Sequence, residues 1–288
     1  MTTPLIARTT ADLRQTVATW RRAGERVALV PTMGALHPGH ISLVDLGRAS
    51  AGRVVTSIFV NPTQFAPNED FSKYPRTFDA DVERLGKAGC DLVFAPSPDV
   101  MYGHGFATTI SLEGPARAGL EDAFRPTHFA GVATVVAKLL IQCGPDIAIF
   151  GEKDFQQLAV IARMARDLDM PVEILGAPTL READGLAMSS RNVYLSTAER
   201  AAAPALHRVL QDCAARIARG ETFESVLAQG RAEIEKAGFK LDYLELRDAA
   251  SLAAPGSDPK AALRLLAAAR MGATRLIDNV HARQAQES

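Results

Sequence analysis

The chain contains 288 residues, of which 47% are hydrophobic, and its 32 basic and 33 acidic residues leave a formal net charge of -1. This balance lacks the basic excess of a nucleic-acid binder, so we expect a globular protein with a small-molecule partner and no nucleic acid. The sequence has no apolar run of about 18 residues and no basic segment before an apolar one near its start, which argues against a membrane span and against secretion.

Short apolar runs alternate with amphipathic helices through residues 1–178. The periodicity predicts strands at 26–30, 53–60, 91–95, 146–150 and 171–175, and helices at 12–23, 38–50, 77–88, 130–142 and 154–168. Residues 97–128 are irregular, with one short strand expected at 107–112. Such alternation is typical of right-handed crossovers and a parallel sheet. We therefore expect a Rossmann-like α/β domain over 1–178, with helices on both faces and ligands at the carboxyl ends of its strands.

The composition changes after Pro178. Residues 197–236 are rich in Ala and Arg and predict two helices broken at Gly220, followed by strands at 241–246, 262–268 and 273–279. This order indicates a smaller α+β domain over 179–288.

Cysteine usage indicates the compartment. Cys90, Cys143 and Cys213 are odd in number and widely spaced, so they support neither a disulfide framework nor a C-x-x-C site. We expect buried thiols in a reducing cytoplasm.

The first predicted strand leads into the stretch P-T-M-G-A-L-H-P-G-H. Pro38 suits the first position of a helix, which places His37 and His40 on one side of the first turn, beside backbone N–H groups without intrahelical partners. That end of a helix attracts anions, and Gly34 and Gly39 allow close approach of the backbone to a ligand. The stretch predicts a phosphate site, although two such histidines are equally typical of helix caps or of half a metal site.

A second polar stretch, N-P-T-Q-F, follows the next strand and begins at Asn61. The Asn61 and Gln64 amides can donate and accept hydrogen bonds at once, which suits a substrate with hydroxyl and carboxylate groups. An ordinary Asx turn is the alternative.

A third stretch, F-G-E-K-D-F-Q-Q, again lies between a strand and a helix. Lys153 offers a mobile positive charge suited to nucleotide phosphates, Asp154 suits a helix cap or a ribose, and Gln157 lies one turn further on. The alternative is a solvated loop with a helix N-cap.

The fourth stretch, M-S-S-R, lies near the proposed domain boundary. The hydroxyls of Ser189 and Ser190 beside Arg191 can close over a triphosphate and supply charge to a leaving pyrophosphate. A serine-capped linker is the alternative.

P-T-M-G-A-L-H-P-G-H resembles the signature of pantothenate synthetases, within the H-x-G-H nucleotidyltransferases related to class I aminoacyl-tRNA synthetases. The other three stretches resemble family motifs in the same order, as does R-P-T-H-F around His128, with Thr127 where glycine is more typical. The resemblance implies ATP-dependent condensation of pantoate with β-alanine through a pantoyl adenylate, with ATP and Mg²⁺, in a homodimer. Alternatives are another H-x-G-H nucleotidyltransferase and a non-catalytic nucleotide sensor.

The resemblance also implies roles for individual residues. The implied catalytic residues are His37, His40 and Lys153. The implied ATP-binding residues are Met33, Gly34, His40, Gly151, Lys153, Asp154, Met188, Ser189, Ser190 and Arg191. The implied pantoate-binding residues are Asn61, Gln64 and Gln157. No metal site is assigned, because Asp79, Asp81 and Glu83 on an amphipathic helix are typical of a solvated face.

Overall fold

The computed structural model describes residues 3–65, 74–256, 258 and 260–283. Within these residues the strands are β1 (Leu5–Ala7), β2 (Val27–Thr32), β3 (Arg53–Ile58), β4 (Leu92–Phe94), β5 (Ile147–Gly151), β6 (Glu173–Ala177), β7 (Lys240–Asp248), β8 (Leu263–Met271) and β9 (Thr274–Ala282). The α-helices of the same residues are α1 (Thr10–Arg22), α2 (Pro38–Ser50), α3 (Phe78–Lys87), α4 (Pro98–Met101), α5 (Glu121–Phe124), α6 (His128–Cys143), α7 (Phe155–Asp167), α8 (Thr197–Ala202), α9 (Ala205–Ala218) and α10 (Phe223–Lys236).

A six-stranded sheet with the order β1-β4-β3-β2-β5-β6 forms the larger part of the molecule, and every neighbouring pair in it is parallel. From β2 the chain runs outward through β3 to β4, and it then returns to place β5 on the other side of β2. The connections after β2 and β5 therefore diverge and leave a crevice at the carboxyl ends of these two strands, where α/β sheets bind ligands.

Alternate residues of the central strands pack into two different cores. Val27 and Leu29 of β2 face a cluster built with α1, α6 and α7, whereas Ala28 and Val30 face a cluster built with α2 and α3. These four side chains are fully buried. Near-continuous apolar runs are typical of parallel strands that are covered on both faces. The predicted Rossmann-like sheet with helices on both faces is confirmed.

A three-stranded antiparallel sheet, β7-β8-β9, forms the smaller C-terminal α+β domain with α9 and α10. Leu210 and Ile217 of α9 lie seven residues apart on one helix face and pack with Leu265 of β8 in a common core. This part of the predicted fold is confirmed, while the division of the chain between 178 and 179 stays a prediction.

Three details of the predicted elements are wrong. No strand forms at 107–112, because the Ile110 N–H is bonded to the Thr134 Oγ1 of α6 rather than to another strand. The segment 197–236 forms α8, α9 and α10 instead of two helices, since the chain turns at Pro204 as well as at Gly220. The edge strand β1 is not predicted at all.

The expectation of buried cysteines is confirmed: Cys90, Cys143 and Cys213 are free and buried. Burial raises the pKa of Cys143 to about 12 and that of Cys213 to about 11, so neither thiol is a ready nucleophile. Among the described residues, no helix is both long and apolar enough to cross a membrane.

Candidate active site

The N-terminus of α2, directly after β2, brings the two histidines together through reciprocal caps. The Gly39 N–H donates to His37 Nδ1 at 3.1 Å, and the His37 N–H donates to His40 Nδ1 at 3.2 Å. The ring centroids are 4.1 Å apart. Because both Nδ1 atoms accept hydrogen bonds, each neutral imidazole carries its proton on Nε2. The pair therefore offers two Nε2–H donors at a helix N-terminus.

Burial keeps both imidazoles neutral. Desolvation, with a smaller contribution from nearby Lys153, lowers the pKa of His37 from 6.5 to about 4. Desolvation, followed by the charges of His37 and Lys153, lowers the pKa of His40 to about 3. At neutral pH the pair therefore acts through hydrogen bonding rather than through positive charge.

We expect the imidazole ¹³Cε1 resonances of His37 and His40 to titrate near pH 4 and pH 3 in the ligand-free protein. The folded pKa values lie below the unfolded value of 6.5, so the unfolded chain binds protons first as the pH falls. These two groups should therefore lower the free energy of unfolding as the pH falls from 6.5 towards their folded pKa values. The H40N variant assigns the resonances, and a midpoint near 6.5 for either ring would contradict the neutral pair.

Asp81 of α3 holds the turn that precedes the histidines. Its carboxylate is fully buried and accepts hydrogen bonds from the N–H groups of Ala35 at 2.9 Å and Leu36 at 2.8 Å. Gly34, with φ +81°, lies at this turn and does not line the cleft. The predicted solvated face is wrong for Asp81, because its carboxylate is fully buried and bonds to the turn before α2 as well as to the Thr77 hydroxyl of its own helix start. Asp81 is therefore a structural residue that supports the turn before the H-x-G-H stretch.

Asn61 orients Gln64 at the end of β3. Asn61 is 1% exposed, and its Nδ2 donates to Gln64 Oε1 at 3.2 Å and to the Gly131 carbonyl at 3.3 Å. The Asn61 Oδ1 accepts from the Tyr102 hydroxyl at 2.7 Å. Gln64 Nε2 in turn lies 2.8 Å from Met33 Sδ. The turn therefore presents the Gln64 amide to the cleft, with Asn61 behind it.

His128, the first residue of α6, contacts the same turn. Its Nδ1 donates to the Gln64 carbonyl at 3.0 Å, and its Nε2 accepts from Arg125 Nη1 at 3.2 Å. A carbonyl can only accept and a guanidinium can only donate, so these partners specify the neutral tautomer. Thr127 has φ −100°, so the position usually filled by glycine needs no left-handed backbone. His128 therefore supports Gln64 by bonding to the backbone carbonyl of Gln64.

The turn after β5 supplies the lysine. Residues Glu152–Asp154 form a single 3₁₀ turn before α7, and Lys153 Nζ lies 3.8 Å from Asp154 Oδ2. The Lys153 side chain is 21% exposed, which leaves its ammonium partly open to the cleft. Gln156 points the other way: it is buried and its amide bonds to three groups within residues 115–122. Gln157, one residue on, faces the cleft.

The M-S-S-R loop lies opposite this turn. Ser189 caps a 3₁₀ segment by accepting from the Arg191 N–H at 3.2 Å. Just before it, Arg181 and Ala187 form an isolated antiparallel bridge, and the Asn192 amide donates to the Ala187 carbonyl at 3.1 Å. The loop thus forms a short hairpin that the Arg181–Ala187 bridge closes, and Ser189, Ser190 and Arg191 follow shortly after it.

Apart from Gly34, the residues predicted from the motifs all line one cavity of about 230 Å³ at the β2–β5 crevice. They are Met33, His37, His40, Asn61, Gln64, Gly151, Lys153, Asp154, Gln157, Met188, Ser189, Ser190 and Arg191. A second cavity, of about 500 Å³, extends between the two sheets and shares five lining residues with the first: Lys153, Asp154, Gln157, Ser189 and Arg191. The structure therefore brings four separate motifs to one cleft.

The fold and this cleft define a class of protein. The strand order of the parallel sheet reverses between β2 and β5. A helix N-terminus capped by a histidine follows β2, and a lysine follows β5. This is the arrangement of an H-x-G-H nucleotide-binding α/β protein.

The particular family follows from comparison with known proteins. The model of the pantoate-beta-alanine ligase family matches residues 5–281, and the chain belongs to this family. A curated pantothenate synthetase from Rhodopseudomonas palustris is 58% identical over 96% of this chain and 98% of its own. The crystal structure of pantothenate synthetase from Thermus thermophilus superposes with a TM-score of 0.90 at 46% identity, covering 96% of this chain and 98% of that one. Pantoate-beta-alanine ligase from Francisella tularensis, solved with beta-gamma ATP and beta-alanine, gives a TM-score of 0.79 at 32% identity, covering 96% and 97%.

Proposed function

We propose that this protein catalyses the ATP-dependent condensation of pantoate with β-alanine to pantothenate, through a pantoyl adenylate and with release of AMP and pyrophosphate. One observation carries the proposal: two neutral imidazoles with Nε2–H donors, Lys153 and the Gln64 amide line the same cleft. Membership of the pantoate-beta-alanine ligase family supports it.

In the first step a pantoate carboxylate oxygen attacks the α-phosphorus of ATP, and the bond to pyrophosphate breaks. Negative charge builds on the non-bridging α-phosphate oxygens, where Nε2–H donors, an ammonium and a helix N-terminus stabilise it most. We assign these roles to His37, His40 and Lys153, because all three line the cavity at the start of α2. The leaving pyrophosphate is assigned to the M-S-S-R loop opposite.

In the second step the amine of β-alanine attacks the acyl carbon of the adenylate, and AMP leaves with one oxygen of the original carboxylate. Activation is required because a free carboxylate is a poor acceptor for an amine. No enzyme nucleophile enters this scheme. Gln64 and Gln157 are assigned to pantoate, with Asn61 contributing by fixing the Gln64 amide. ATP is further assigned to Met33, Gly151, Asp154 and Met188 at the cavity wall.

We also propose that magnesium accompanies ATP and that the enzyme is a cytoplasmic homodimer. Among the described residues, no three His, Cys, Asp or Glu side chains are grouped to hold a metal. A Mg²⁺ held by triphosphate oxygens and water needs few protein ligands, so the cleft fits a metal carried in by the nucleotide. The buried free thiols suit a reducing compartment, and the homodimer rests on the resemblance to the family.

Isotope transfer tests the proposed reaction. With pantoate labelled by ¹⁸O in its carboxylate, we expect one label in AMP and none in pyrophosphate. The enzyme should also exchange labelled pyrophosphate into ATP when pantoate is present and β-alanine is absent, because the first step is reversible on its own.

Three other outcomes would point elsewhere. Label in inorganic phosphate, with ADP as product, would indicate an acyl phosphate and overturn the adenylate. Exchange without any β-alanine-dependent AMP release would indicate a nucleotidyltransferase that stops at the first product. ATP binding with neither reaction would indicate a nucleotide sensor.

A further inference from the structure

The strand β9 of the C-terminal domain carries two adjacent buried polar residues, Asp278 and Asn279, which are 4% and 3% exposed. Neither is needed to complete the antiparallel ladder, because that pairing uses backbone groups. Neighbouring side chains of a strand point to opposite faces, so the two residues reach different parts of the molecule. Buried polar side chains need hydrogen-bond partners, and the partners of these two residues indicate what they do.

Asn279 holds the backbone of the lysine turn. Its Nδ2 donates to the carbonyl oxygens of Glu152 and Lys153, both at 2.9 Å. The side chain cannot rotate away, because Asn279 Oδ1 accepts from Arg264 Nε at 2.7 Å. Arg264 is itself 2% exposed and donates to Glu152 Oε2 at 3.0 Å. The position of the Lys153 backbone is thus fixed from the other domain.

Asp278 holds the base of the M-S-S-R loop. Its two carboxylate oxygens accept from Arg181 Nη1 and Nη2 at 2.7 and 2.8 Å, in a bidentate pair. Arg181 also donates to the Gly185 carbonyl at 3.1 Å within the hairpin. Burial alone would raise the pKa of Asp278, but the hydrogen bonds from Arg181 and the proximity of His207, whose Nδ1 lies 3.4 Å from Oδ2, outweigh it and hold that pKa below its usual value. The carboxylate therefore stays charged and paired.

We propose that Asp278 and Asn279 are positioning residues that set the separation between Lys153 and the M-S-S-R loop. This inference rests on the proposed function, which assigns both segments to the phosphates of ATP. Consecutive Cα atoms are about 3.8 Å apart, so one dipeptide ties the two segments to a fixed covalent distance. Transition-state stabilisation is sensitive to displacements of about 1 Å, which gives this coupling its effect on catalysis.

The N279D variant tests the Asn279 contacts. It keeps an oxygen for Arg264 but replaces the amide donor with a second acceptor facing two carbonyl oxygens. We expect kcat for pantoate-dependent pyrophosphate exchange to fall about 10-fold or more and the KM for ATP to rise, with the KM for pantoate within about twofold of the parent. N279A, measured in parallel, should also raise the KM for ATP while the KM for pantoate stays within about twofold of the parent.

Y243F is the matched control. It removes the 2.9 Å hydrogen bond from the Tyr243 hydroxyl to Glu121, which also joins the C-terminal sheet to the larger domain but touches neither phosphate segment. We expect its kinetic constants to stay within about twofold of the parent, even where its thermal midpoint falls as far as that of N279D. Equal kinetic losses in Y243F and N279D would reduce Asn279 to a general domain contact and overturn the inference.

A double-mutant cycle identifies the path of the effect. If Asn279 acts through Lys153, N279D should cause little further loss of exchange in a K153A background. D278N, which removes the charge of the carboxylate paired with Arg181, should also lower exchange, and this loss should shrink in an R191A background. An undiminished effect in both backgrounds overturns the positioning role.

The outcomes separate this inference from the function on which it rests. Absence of pantoate-dependent exchange in the parent protein refutes the proposed function, whereas parent-like exchange by K153A refutes the role of Lys153 on which this inference depends. Loss in K153A together with parent-like kinetics in N279D and N279A refutes the positioning role alone.

Discussion

Replacing Lys153 with alanine is expected to lower the turnover number by about 100-fold or more while the protein stays folded. The loss of one transition-state charge partner in a water-poor site has effects of this size, equivalent to about 2.7 kcal/mol. Lys153 projects from a short turn into the cleft, and its ammonium is only partly exposed. The measurement is kcat of the purified variant, with circular dichroism to show that the fold is unchanged.

His40 is expected to show a loss of similar size in the H40N variant. Asparagine can still accept the His37 N–H, so the reciprocal cap is retained while the Nε2–H donor is removed. K87A is the control for removal of a lysine, because Lys87 pairs with Glu83 on the exposed surface of α3. A turnover within about threefold of the parent in K153A or H40N would refute the assignment of that residue.

Replacing Gly131 with alanine is expected to displace the turn that carries Gln64. A Cβ atom at this position would lie 2.7 Å from the carbonyl carbon of Thr63 and 2.9 Å from the Cα of Gln64, which are backbone atoms that cannot rotate away. Over-packing of this kind costs about 1–3 kcal/mol of stability. We expect the KM for pantoate to rise about 10-fold or more and the KM for ATP to change little, because Gln64 is assigned to pantoate.

G52A is the matched control for this substitution. A Cβ on Gly52 would meet its nearest neighbour at 3.5 Å, an ordinary contact, and should leave both KM values unchanged. An equal rise in the two KM values of the Gly131 variant would show that the turn does not read pantoate.

The sequence predicts the position of the cleft because its motifs follow strands whose carboxyl ends must meet. His37 follows β2, Gln64 follows β3 and Lys153 follows β5, so parallel order alone brings them to one edge. The prediction of a short strand at 107–112 is wrong. The Ile110 N–H is bonded to a helix side chain, and sequence periodicity cannot show such a contact. The edge strand Leu5–Ala7 is too short to give a period.

The residues that hold the motif segments in place cannot be predicted from the sequence, for a different reason. Asp81 and Asn279 act through partners about 45 and 126 residues away, and no local pattern records such contacts. A polar pair inside the last strand was the visible signal for Asp278 and Asn279, in the run T-R-L-I-D-N. That signal identifies buried polar residues but not what they hold.

The neutral histidine pair has a consequence for ligand design. An imidazolium would bind an anion most strongly, whereas an uncharged Nε2–H donates a hydrogen bond to any good acceptor atom, charged or not. On the proposed placement of the α-phosphate opposite His37 and His40, an inhibitor can therefore carry an uncharged acceptor group at that position and retain most of that contact. Negative charge is worth keeping towards Lys153 and towards Arg191, the two cationic side chains of this cavity that the proposed function uses. Compounds with fewer anionic groups cross membranes more readily, so the tautomer fixed by two backbone hydrogen bonds bears directly on which inhibitors could reach this enzyme in cells.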